Sequence, residues 1–96
     1  MTIAPDDKAR PIPSGWELVR DGTAIERSFE FGTFLNAVAF MNRLVPICEG
    51  MGHHPEWMNV YSRVDVVLTT HDRGTVTELD LRLASEMNRL AADRAA

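Results

Sequence analysis

Only one of the 96 residues is a cysteine, Cys48, so the chain can form no internal disulfide and cannot supply a Cys-rich zinc site. Basic residues are also scarce: ten Lys and Arg stand against fourteen Asp and Glu, a net charge of −4. That balance argues against a phosphate-backbone binder, which needs a basic stripe. No apolar run approaches the roughly 18–20 residues of a membrane span. Neither a nucleic-acid nor a membrane partner is therefore expected. The opening Met1–Asp7 lacks the charged-then-apolar order of a signal peptide, and the expectation is a soluble, cytoplasmic chain. What remains is ordinary: 45% apolar and 25% charged residues, enough for one domain with a thin core.

Residues 1–14 hold Pro5, Pro11 and Pro13 without apolar periodicity and read as a flexible N-terminal arm. The single domain is expected over 15–92, with 93–96 as a C-terminal tail. Trp16–Arg20 and Thr23–Phe31 read as a β-hairpin turning at Asp21-Gly22, which tolerates positive φ. Ile25, Arg27, Phe29 and Phe31 share one face, with Arg27 the misfit, its stem lying along apolar surface. Thr33 is the expected N-cap of a helix starting at Phe34, with a core stripe of Phe34, Ala37, Val38, Met41, Leu44, Val45 and Cys48. Leu35, Ala39 and Ile47 widen the apolar arc and suggest a second buried surface, such as an oligomer contact. Pro46 predicts a kink or an early end, and Gly50 and Gly52 close the helix. Glu56–Val60 and Val64–Thr70 form a second hairpin through Tyr61-Ser62-Arg63. Thr77-Glu78-Leu79-Asp80 has the form of a capping box before a last helix with the stripe Leu79, Leu83, Met87 and Leu90, ending near Ala92. The order ββ-α-ββ-α predicts an α+β domain: a four-stranded antiparallel sheet of two hairpins with helices packed on one face.

His53, His54 and His71 fall within a short span. Pro55 pushes His54 toward extended backbone, where consecutive side chains diverge. His71 ends the strand that pairs with the one after Pro55, so the hairpin brings three imidazoles to one sheet end. Their unperturbed pKa of about 6.5 suits general acid–base work near neutrality. The bland readings are a surface or satisfied core histidine for each, a capping residue for Asp80, a solvated helix-end charge for Glu49, and core packing for Trp57 and Tyr61. Trp57 and Tyr61 could instead wall an aromatic ligand, while Cys48 reads as a small buried apolar residue rather than a nucleophile. Three His with an open position is also a zinc arrangement, but adjacent His-His before Pro is awkward for two ligands of one ion, so no metal is expected.

Glu49-x3-His53-His54-Pro55, then Tyr61, His71 and Asp80, resemble the signature of the pterin-4a-carbinolamine dehydratase family. So do Gly15-Trp16-Glu17-Leu18, Ala39-Phe40-Met41-Asn42, His53-His54-Pro55-Glu56-Trp57 and Leu68-Thr69-Thr70-His71, across roughly residues 15–90. The resemblance implies a hydro-lyase that removes water from 4a-hydroxytetrahydropterin, the product of aromatic amino-acid hydroxylases, yielding quinonoid dihydropterin without metal or bound cofactor. By position it makes His53, His54 and His71 the catalytic residues. It puts Glu49, Pro55, Trp57, Thr69, Thr70 and Asp80 at the substrate. It also implies a homodimer or homotetramer joined through helices. One kind of family member serves as a dimerisation cofactor for a homeodomain transcription factor, and nothing in this sequence supports that role. The chain departs from the family in its proline-rich start, in Pro46 inside a helix, and in Thr75 where a second glycine is common. The alternative expectation is a non-catalytic dimerisation or binding module of the same fold.

Overall fold

Period-two alternation sets the sheet. The computed structural model describes residues 11–93. It contains β1 (Glu17–Val19), β2 (Ala24–Glu30), α1 (Phe34–Met51), β3 (Glu56–Val60), β4 (Arg63–Leu68) and α2 (Glu78–Ala92). This is the expected ββ-α-ββ-α order, with the four strands antiparallel in the order β1-β2-β4-β3. Ile25 pairs with Leu68 and Phe29 with Val64, so the apolar residues of the two central strands share one face and are buried. The expected loose arm over 1–14 lies outside the described residues up to position 10. Beyond that, Ile12 packs against the core and the Ser14 carbonyl accepts from Arg27 and Asn88.

The first turn is left-handed over three residues: Arg20, Asp21 and Gly22 have φ of 53°, 57° and 85°. Arg20 thus belongs to the turn and not to the first strand. Arg27, the charged residue on the apolar face, places its guanidinium 4.4 Å from the Phe29 ring centroid and donates to Asn88 Oδ1 at 2.6 Å. That guanidinium lies under 3.0 Å from where a Cβ on Gly15 would sit, and Gly15 has φ +87°. Only glycine fits there.

Thr33 caps α1 as expected, its Oγ1 accepting from the Asn36 N–H at 3.1 Å. The buried stripe differs from the sequence expectation: Ala37, Phe40, Leu44 and Cys48 face the core, while Phe34 and Val45 are half exposed and Leu35 is 76% exposed. In a helix this widely apolar, two neighbouring phases satisfy the same spacing rule, and only the rest of the fold selects one. Pro46 does not end the helix, which runs on to Met51. The proline is on the exposed side, as is Asn42, whose carbonyl a proline at 46 has no N–H to pair with. Gly50 lies inside the helix, and Gly52 alone is the C-cap, with φ 63°.

β4 starts one residue earlier and ends two earlier than expected, leaving Tyr61-Ser62 as the turn. Tyr61 is 67% exposed and so is not a core residue, whereas Trp57 packs against the core. Past Leu68 the chain makes one further bridge, Thr70 to Thr75, around the loop carrying His71. The capping box at Thr77 and Asp80 is present, and α2 buries Leu83, Ala84, Met87 and Leu90, with Leu79 half-buried. Among the described residues no helix is long and apolar enough to cross a membrane.

Candidate functional site

The end of α1 delivers His53. The Gly52 N–H donates to the Glu49 carbonyl at 3.2 Å and the His53 N–H to the Cys48 carbonyl at 3.1 Å, a Schellman closure. The left-handed Gly52 turns the chain so that His53 points inward and is 8% exposed. His54 then diverges to the exposed side, as the extended backbone before Pro55 requires. His71 comes from the loop after β4. All three, with Gly52, Pro55, Thr70 and Asp72, line one cleft of about 380 Å³, a size that suits a small ligand. Two larger cavities, of about 520 and 530 Å³, contain no imidazole. Chemistry, not size, singles out the histidine cleft.

Each imidazole meets a carboxylate through the same atom. His53 Nε2 lies 2.5 Å from Asp80 Oδ1, His54 Nε2 lies 2.6 Å from Glu49 Oε2, and His71 Nε2 lies 3.0 Å from Glu56 Oε2. A carboxylate accepts, so Nε2 donates in each pair and the neutral ring keeps its lone pair on Nδ1. No buried side-chain nitrogen or oxygen among the described residues lacks a partner.

The three carboxylates are held very differently. Asp80 is fully buried; its Oδ2 accepts from the Thr77 N–H at 2.8 Å and from Thr70 Oγ1 at 2.7 Å. It therefore caps α2 and holds His53 with the same group. Glu49, in the last turn of α1, is exposed with His54. Glu56 begins β3 and is shared: Arg20 binds it with both Nη atoms, at 2.8 and 3.3 Å, while His71 takes Oε2. The Arg20 hydrogen bond, and after it that of His71, holds the Glu56 carboxyl below the usual carboxylate range. Burial pushes the Cys48 thiol up, in keeping with a small apolar role.

The fold places the other predicted residues as follows. Pro55 and Thr70 line the cleft, and the Thr70 hydroxyl is bonded to Asp80 and Thr77. Asp80 stands behind His53. Trp57 packs against the core, and the Thr69 hydroxyl donates to the Thr23 carbonyl at 2.7 Å, so neither lines the cleft. Sequence reasoning gave no role to Glu56 or Arg20. The register of the second hairpin, which pairs Glu56 with Val67 near the exit toward His71, is the signal that would have found Glu56. Arg20 left no such signal. Among the described residues no three His, Cys, Asp or Glu side chains are grouped to hold a metal ion. What the cleft offers is three rings that can each take or give a proton beside a fixed anion.

The sequence profile of the family described as pterin 4 alpha carbinolamine dehydratase matches residues 4–90. A relative from Rhizobium johnstonii is 51% identical over 79 residues, which span 82% of this chain and 78% of its own. One from Dinoroseobacter shibae is 51% identical over 87 residues, 90% of each chain. Both are provisionally named pterin-4-alpha-carbinolamine dehydratase. The crystal structure of a transcriptional coactivator/pterin dehydratase from Brucella melitensis superposes with a TM-score of 0.79 at 47% identity, covering 81% of this chain and 83% of that one. A pterin dehydratase-like protein described as a RuBisCO assembly factor in the alpha-carboxysome shares the fold, with a TM-score of 0.69 at 23% identity over 80% of this chain and 89% of that one.

Proposed function

Because the chain belongs to the pterin 4 alpha carbinolamine dehydratase family, we propose that it converts 4a-hydroxytetrahydropterin to quinonoid dihydropterin and water by histidine acid–base chemistry. The observation that carries this reading is the cleft lined by His53, His54 and His71, each ring fixed by a carboxylate on Nε2. Dehydration breaks the bond from carbon 4a to oxygen; the departing hydroxide takes a proton from one imidazolium and leaves as water. A ring N–H of the pterin gives its proton to a second, neutral imidazole, so the net loss is one water. His54 and His71 are exposed and suit the two transfers, while His53, buried against Asp80, positions the hydroxyl or shares the task. Glu49, Pro55 and Thr70 bound the pterin edge. Each transfer is worth about 10²–10⁴-fold in rate. Such an enzyme recycles tetrahydropterin downstream of an aromatic amino-acid hydroxylase.

Stopped-flow dehydration of chemically generated 4a-hydroxytetrahydropterin tests the proposal. Wild type is expected to exceed the spontaneous rate clearly, with His54→Ala and His71→Ala each losing most of that excess. Activity that survives loss of both rings would sink the assigned roles. A second reading, a binding module that works through its helix, has one observation in its favour: the exposed apolar residues Phe34, Leu35 and Val45 on α1. In the reading we prefer, that face joins copies of this chain into a homodimer or homotetramer.

A further inference from the structure

Arg20 and Glu56 make a pair that stability alone explains poorly. Both side chains are 40–50% exposed, and ion pairs of that kind add little to stability. Arg20 nevertheless sits in a left-handed turn, φ 53°, a conformation unfavourable for a residue with a Cβ. The turn joins one edge of the sheet to its neighbour, yet the guanidinium reaches Glu56 on the strand at the opposite edge. There it grips both carboxylate oxygens, fixing the plane of a side chain with three rotatable bonds. One of those two oxygens, Oε2, also meets His71 Nε2. The other charged or titratable groups around His71 are Asp72, next in the chain, and His53 and His54 in the same cleft, while Glu26 on β2 acts on Arg20.

We propose that Glu56, clamped by Arg20, is a positioning residue for His71: it fixes the ring's orientation and its Nε2–H tautomer, and so presents Nδ1 to the substrate. The proposal rests on the dehydratase reading for its catalytic consequence but not for its geometry. Glutamine at position 56 gives a sharp test, because an amide has one accepting and one donating end. Arg20 only donates, and its shorter bond goes to Oε1, 2.8 Å against 3.3 Å to Oε2, so it would draw the amide oxygen to the Oε1 place and leave the NH₂ facing His71. A donor there requires a lone pair on Nε2, which moves the ring proton to Nδ1 and removes the base from the cleft. Without Arg20, the amide is free to turn its oxygen back to His71.

The experiment reads the His71 tautomer by two-bond nitrogen–proton correlation spectra of the nitrogen-15-labelled chain, beside stopped-flow kinetics. Glu56→Gln is expected to switch His71 from Nε2–H to Nδ1–H and to lower kcat at least about tenfold, with KM within about twofold. Adding Arg20→Ala to Glu56→Gln is expected to restore both the Nε2–H form and most of kcat. A merely structural pair would lose activity further in the double variant. If His71 stays Nε2–H in Glu56→Gln, or the double variant does not recover the tautomer, the proposal fails. Wild type without dehydratase activity would sink the functional reading while the tautomer switch still decides the positioning role.

Discussion

Asp80 and Glu56 hold their histidines by opposite means. Asp80 is out of contact with solvent and its oxygens accept from His53, Thr70 and the Thr77 N–H, so geometry and burial fix it together. Glu56 is partly exposed and depends on Arg20 for its orientation. The Glu56 pairing should respond to acid. Because Arg20, and then His71, depress the Glu56 carboxyl in the folded chain, the pairing adds stability above the ordinary carboxylate range. That contribution is lost as pH falls through the depressed value. Arg20→Gln removes the largest cause, so the gap in urea midpoint between wild type and variant should be widest near neutrality and close on acidification. A gap that persists below the carboxylate range would show that Arg20 stabilises by packing instead. Solvent screening keeps the effect small.

At the level of elements, the join of α1 to the cleft is the sensitive point. A Cβ on Gly52 would meet nothing within 4 Å, so Gly52→Ala tests the backbone alone. At φ 63° it should destabilise by about 1–2 kcal/mol in urea unfolding, with a loss of kcat because His53 is turned by that residue. The strands, the Thr33 and Thr77 caps and the Gly52 stop were legible because they are written in local chemistry: alternation, an oxygen one residue before a helix, a glycine after it. The convergence of three histidines was legible through one hairpin. The buried phase of α1 was not, since Phe34 and Val45 obey the helical rule as well as Phe40 does, and only sheet contacts choose between them. Nor was the helix's passage through Pro46, which depends on that side of the helix meeting water. The Arg20–Glu56 pair spans the whole sheet, and no local pattern encodes a contact made by sheet order.

Across the whole molecule the residual question is the apolar face of α1. Phe34, Leu35 and Val45 are each at least half exposed along one helix, an arrangement that in a small domain marks an interaction surface. Sedimentation of wild type should show a homodimer or homotetramer, and Phe34→Glu with Leu35→Glu should shift it to smaller species. Because both residues are exposed in the single chain, its own stability should change by no more than about 0.5 kcal/mol. A wild type that sediments as a monomer would overturn the assignment of this face to self-association. The cleft itself is balanced one for one: three rings, and three anions drawn from α1, β3 and α2. In the proposed dehydration, a proton that leaves one ring for another thus passes from one paired anion to the next, from the buried Asp80 at one extreme of exposure to Glu49 at the other.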